Sequence, residues 1–169
     1  MNRSPSGPAP LSARKLRAVA LGTPAGLLAF GFGAGLSPKA PGTAGTLAGM
    51  LLALPLTGLP DWAGLAIVAL AFVAGIPICE RTSHALGVHD HGGIVWDEVA
   101  GIWLVLMTVP FHWAWWLGAF IAFRVFDIAK PWPIGWLDRR VTGGFGIMVD
   151  DLIAAFYAAG ILGVVRLFV

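Results

Sequence analysis

Five stretches of the chain, residues 18–38, 40–60, 62–79, 99–123 and 152–165, contain no Asp, Glu, Lys or Arg. Backbone inside hydrocarbon must satisfy its own hydrogen bonds, so runs of about 20 apolar residues are expected to cross a bilayer as helices. Runs of this kind take up most of the 169 residues. Only 12% of the chain is charged, against about 25% in an average soluble domain, too little to cover a water-exposed surface. An all-α integral membrane protein is expected, with a single membrane-embedded domain over residues 18–169. Residues 1–17 form a basic tail, rich in Pro, Ser and Gly over Asn2–Pro10, that is expected to be disordered. This tail carries Arg3, Arg14, Lys15 and Arg17 and no acid. The remainder holds seven basic and nine acidic residues, a balance of −2, which argues against a nucleic-acid partner.

Runs 40–60 and 62–79 read as two crossing helices joined at Pro60-Asp61. Run 99–123, interrupted by Pro110-Phe111-His112, reads as a second hairpin of shorter helices, each extended at its inner end by polar neighbours. Leu152–Val169 supplies a C-terminal crossing, with Arg166 able to snorkel. If each block between polar segments crosses twice, the clusters Ser37–Thr46, Glu80–Glu98 and Asp127–Asp151 emerge on one face. Lys39, Arg81, Lys130, Arg139 and Arg140 lie there with the basic tail, so positive-inside counting places that face in the cytoplasm. Run 18–38 then begins and ends on the same side, and an interfacial or re-entrant segment is expected rather than a cleaved signal or a crossing. Trp62, Trp113, Trp115 and Trp116 fall at the far interface, and Trp96, Trp132 and Trp136 at the near one.

Of the nine acids, eight fall on the proposed cytoplasmic face. Asp97, Glu98, Asp127, Asp150 and Asp151 lie where polar clusters meet hydrophobic helices. Carboxylates at that depth are expensive, and divalent-cation binding is one reason to keep them. Helix capping is the other for Asp97, Glu98, Asp150 and Asp151, since acids favour a helix N-terminus. Asp127 lies at the end of its helix, where capping does not explain it. Arg124 and Asp127, and Asp127 and Lys130, are three apart and share a helical face, either as a salt-bridge ladder or as part of a site. Pro131 and Pro133 end that helix and put Lys130 on a corner.

Ser37–Thr46 opens onto a helix and offers Lys39, Thr43 and free amides as a phosphate cradle, or simply a turn with a threonine N-cap. Gly31, Gly33 and Gly35 read as small-residue helix packing. His84, His89 and His91 do not have standard zinc spacing. Cys79 stands alone, which excludes a disulfide within the chain; no C-x5-R loop follows it, and no D-x-D follows Asp127.

Four motifs in order then carry a resemblance. Gly31–Pro38 with Pro41-Gly42-Thr43, Ile94–Glu98, Phe123–Asp127 with Lys130–Ile134, and Gly143–Asp151 are similar to bacterial phosphatidylglycerophosphatase A, from about Leu21 to Val169. The resemblance implies a Mg²⁺-dependent, multi-pass bacterial inner-membrane lipid phosphatase, its active site facing the cytoplasm. Its substrate would be phosphatidylglycerophosphate, drawn from membrane lipid and converted to phosphatidylglycerol and phosphate. In this reading Asp97, Glu98, Asp127, Asp150 and Asp151 hold Mg²⁺ and activate water, while Arg124, Lys130, Lys39 and Thr43 hold the phosphomonoester. Two rivals are a small transporter or channel with an acidic cation site, and a divergent phosphatidyltransferase. The transferase's D-G-x2-A-R…G-x3-D-x3-D pattern is absent, and a transporter calls for polar groups spread through membrane depth.

Overall fold

A computed structural model describes residues 11–88 and 90–169. The proposed disordered segment Asn2–Pro10, and His89, lie outside the described residues. Within them the chain is helical without strands: α1 (Ala13–Gly22), α2 (Pro24–Ala29), α3 (Pro41–Ala53), α4 (Asp61–Leu86), α5 (Trp96–Leu106), α6 (Trp113–Ala129), α7 (Ile134–Asp138) and α8 (Gly143–Arg166). Short 3₁₀ segments cover Gly31–Leu36 and Leu54–Gly58.

The long helices pack through small residues. On α4, Gly64, Val68, Ala71, Gly75, Cys79 and Thr82 recur every three or four positions and are buried. Buried Gly144, Ile147, Asp151, Ala155, Ala158 and Leu162 follow the same rule on α8. A methyl at Gly75 would collide with Met148 of α8 and Trp96 of α5, so the backbones approach closely there. Many larger apolar side chains instead face outward, among them Leu65, Leu70 and Val73 of α4, Leu117, Ile121, Val125 and Ile128 of α6, and Phe156 and Ile161 of α8. By length and composition, α4 and α8 can each cross a membrane.

Buried α5 lies at the centre, packed against α3, α4, α6 and α8. Two indole N–H groups tie it to neighbouring backbones, Trp96 Nε1 donating to Ala71 O (3.0 Å) and Trp103 Nε1 to Gly49 O (2.7 Å). Buried indoles need such acceptors. Trp96 is therefore a core residue and not an interfacial one, whereas Trp132 and Trp136 are exposed.

Several sequence expectations change. Residues 40–60 do not form one crossing helix: α3 stops at Ala53, a rise of about 20 Å, because Pro55 cannot continue the α-helical hydrogen bonding. Its principal contacts are with α5, so α3 and α4 are not a closely packed hairpin. The tail is helical from Ala13, capped by Ser12 and tied to α4 by Lys15 Nζ donating to Leu86 O (2.9 Å). Gly31 and Gly33 have φ of +54° and +99°, so they shape an irregular turn rather than a helix seam. The C-terminal helix begins at Gly143, well before Leu152, which moves Asp150 and Asp151 from a helix end to its third turn. First-turn capping does not account for that pair.

The three polar clusters do come together. Gly42 lies against Glu98 and the Gly144 N–H donates to Glu80 Oε2, while the turn before the first cluster is tied in by the Val95 N–H donating to Ala29 O (2.7 Å) and by Gly35 against the Gly93 backbone. At the opposite end the two tips meet, with Leu56 and Asp61 facing Met107, Phe111 and Trp116 across a small cavity.

Candidate active site

At the polar end a cavity of about 320 Å³ opens between the α5, α6 and α8 ends and the loops beside them. Asp90, Asp97, Glu98, Asp127, Asp138, Asp150 and Asp151 line it, and Lys130 is its lining cation. Each carboxylate arrives for a local reason. Asp97 and Glu98 occupy the first turn of α5, where the helix dipole favours negative charge. Asp127 lies in the last turn of α6, and Asp151 follows the buried stripe of α8 inward.

Asp97, Glu98 and Asp151 each present an oxygen within 4.8 Å of the other two. Oδ1 of Asp97, Oε2 of Glu98 and Oδ2 of Asp151 are buried and receive no hydrogen bond among the described residues. A buried carboxylate oxygen without a donor costs free energy, and three converging carboxylates repel each other as well. The other two acids expected from sequence, Asp127 and Asp150, are already engaged. Asp127 pairs with Arg124, whose Nη1 also lies 3.7 Å from Glu98 Oε1. Asp150 accepts from Lys130 Nζ (2.6 Å) through Oδ2 and from the Asp151 N–H (3.0 Å) through Oδ1.

Lys130 closes α6 in the left-handed region, φ 41°, because Pro131 disfavours α geometry in the residue before it. That turn breaks the expected alignment of Lys130 with Asp127. The ammonium instead bridges Asp138 Oδ1 of α7 and Asp150 Oδ2 of α8, both at 2.6 Å. Burial lowers its pKa, but the two carboxylates outweigh that and hold it above the ordinary lysine value.

The cradle segment differs from expectation. The N-cap of α3 is Ala40, in left-handed geometry, with no threonine side chain capping the helix. Lys39 is exposed, and neither it nor Thr43 lines the cavity. Gly42 does reach the site's wall: a Cβ there would strike Glu98 Oε1 and the Arg124 guanidinium. His84 and His91 go elsewhere, His84 to Glu80 (2.9 Å) and His91 Nδ1 to the Gly93 N–H (3.0 Å). Asp90 and Asp138 were not among the expected site residues. Asp138 had a signal in its place between the proline corner and Gly143, but its partner is visible only once α7 folds back.

Seven lining carboxylates against Lys130 and Arg124 leave a formal charge of −5 if all ionise. A phosphomonoester would be repelled from such a cavity, whereas one divalent cation would lower the charge to −3 and two would balance most of it. The donor set fits a hard, oxygen-seeking ion.

The family model for phosphatidylglycerophosphatase A matches residues 27–166. The chain belongs to that family. It is 49% identical over 137 residues to phosphatidylglycerophosphatase A of Escherichia coli, covering 80% of each chain. It is 48% identical to the Haemophilus influenzae protein of that name, over 85% of this chain and 89% of the relative. A putative phosphatidylinositol-3-phosphatase of Bacteroides thetaiotaomicron is 38% identical, over 83% and 92% respectively. No solved structure matches. The matched phosphatidylglycerophosphatase A region contains every residue of the carboxylate cavity.

Proposed function

We propose that the protein hydrolyses phosphatidylglycerophosphate to phosphatidylglycerol and inorganic phosphate, using Mg²⁺ held by Asp97, Glu98 and Asp151. The three converging carboxylates, each with a buried oxygen that lacks a hydrogen-bond partner, carry this reading, in a chain whose relatives bear that activity in their names. Mg²⁺ so bound would offset the charge of the phosphate and favour ionisation of an attacking water. Around it, Asp127 and Asp150 hold the two cations in place: Arg124 against Glu98, and Lys130 at the cavity wall. Lys130 is the residue placed to take a phosphate oxygen, since an ammonium has three donors and carboxylates use two. Arg124 serves the wall and reaches the phosphate only if it leaves Asp127. Lys39 and Thr43, outside the cavity, belong with the headgroup at the surface. Direct attack by water is favoured because no covalent-nucleophile motif is present.

The outward apolar faces and small-residue interior support an integral protein lying in the bacterial inner membrane. Exposed Arg14, Arg17, Lys39, Arg81, Arg139 and Arg140 support a cytoplasmic orientation of the cavity end, where basic residues would meet anionic lipid. The gathering of acids at one end disfavours a transporter pathway.

Purified protein in detergent should release phosphate from phosphatidylglycerophosphate in Mg²⁺ and lose at least about 100-fold of that rate in excess chelator. Chelator-insensitive release would remove the metal; no release with any divalent ion would remove the phosphatase reading. Because one relative is named for phosphatidylinositol 3-phosphate, that lipid belongs in the same assay. Preferential turnover of it would reassign the substrate and leave the chemistry intact.

A further inference from the structure

We infer that Asp138, which lies outside the proposed metal-binding trio, is a positioning residue that fixes the Lys130 ammonium for phosphate recognition. The inference rests on the reading of Lys130 as the phosphate-holding cation.

Lys130 has four rotatable side-chain bonds and would ordinarily spread its ammonium over many positions. Here its backbone is fixed by the left-handed corner before Pro131, and its Nζ donates at 2.6 Å to carboxylates on two different helices. Two anchors from different directions define where the third N–H can go. One anchor alone would let the ammonium turn about Asp150. Lys130 and both partners line the cavity, so the remaining donor is available to an anion inside it.

The two carboxylates are not equivalent. Asp150 is nearly buried, adjoins Asp151 and accepts its backbone N–H, so replacing it would disturb the proposed metal site. Asp138 is over a third exposed, sits at the end of five-residue α7 and is not one of the converging trio. A structural tie between α7 and α8 would require only that some bond exist. Positioning requires that phosphate affinity depend on Asp138 and that this dependence disappear when Lys130 is absent.

Asp138→Asn, Asp138→Glu, Lys130→Gln and the Asp138→Asn/Lys130→Gln double variant would be assayed with phosphatidylglycerophosphate in detergent and Mg²⁺, with inorganic phosphate as competitive inhibitor. Asp138→Asn should raise KM and the phosphate Ki together by about fivefold to tenfold, leave kcat within about twofold, and leave the half-saturating Mg²⁺ concentration unchanged. Asp138→Glu should recover part of the loss. In the Lys130→Gln background, Asp138→Asn should add nothing. Unchanged KM and Ki in Asp138→Asn while Lys130→Gln raises them would overturn the positioning role, as would additive losses in the double variant. Unchanged values in Lys130→Gln would instead overturn Lys130 as the phosphate-holding group. If Lys130→Gln turns over too slowly for a KM, the rise in Tm produced by inorganic phosphate in Mg²⁺ gives the same comparison across all four proteins.

Discussion

Asp151→Asn is expected to lower phosphate release about 10³-fold while making the metal-free protein more resistant to heat. The two effects have opposite signs because of where Asp151 lies. It is 3% exposed, in the packed stripe of α8, with Oδ2 buried and without a hydrogen-bond donor. Oxygens of Asp97 and Glu98 lie within 4.8 Å, so in the absence of a cation three carboxylates repel across a poorly hydrated space. An amide of almost the same shape removes one of those charges and supplies a donor to its neighbours. Stability should therefore rise without metal. In Mg²⁺ the comparison reverses: the parent protein should gain Tm on binding the ion, and Asp151→Asn should gain much less. Thermal unfolding with and without Mg²⁺, alongside phosphate release, checks all three parts. Full activity would sink Asp151 as a ligand, and lower stability without metal would show that its carboxylate has a structural partner.

Much of the fold was legible because the chain has so few charges to place. Uncharged runs located α4, α6 and α8, and the acids between them converge as the alternation of polar and apolar blocks demanded. Helix ends were harder. Gly143, Gly144 and Gly146 read as loop residues by propensity, yet Gly144 and Gly146 pack against the backbone at Ile76 and Val141, and contact overrides their poor helix preference. That extension changed Asp150 and Asp151 from helix-end acids to buried ones. Residue type also could not divide five acids into those with free oxygens and those spent on Arg124 or Lys130. The division depends on the left-handed turn at Lys130, a local effect of Pro131, and on the return of α7 and α8 to that corner, which residue type does not reveal. The cradle residues illustrate the same limit from the other side. Its hydroxyls and lysine drew notice in sequence, but its glycine makes the contact with the site.

Gly42→Ala follows from that contact and should reduce kcat by about 10- to 100-fold in a protein that still folds. Gly42 has ordinary helical geometry in the first turn of α3, so alanine brings no backbone penalty and improves helix propensity. Its methyl, however, would overlap Glu98 Oε1 and crowd both terminal nitrogens of Arg124 at 3.0 and 3.1 Å. Those atoms have few ways to retreat: Arg124 is also paired with Asp127, and Glu98 has the trio behind it. The added carbon must displace Glu98 from its converging oxygens or push Arg124 off Asp127. Either shift degrades the ion site by an ångström-scale misplacement, so the half-saturating Mg²⁺ concentration should rise as kcat falls. Gly160→Ala is the matched control, since a Cβ at that exposed position of α8 meets nothing within 4 Å. It should leave turnover and Mg²⁺ dependence unchanged and add up to about 1 kcal/mol of stability. Equal losses in both variants would mean that bundle packing in general sets the rate. A loss confined to Gly42→Ala, with weakened Mg²⁺ dependence, would place the start of α3 in the wall of the metal site, a role that no charged or hydroxyl side chain of the segment performs.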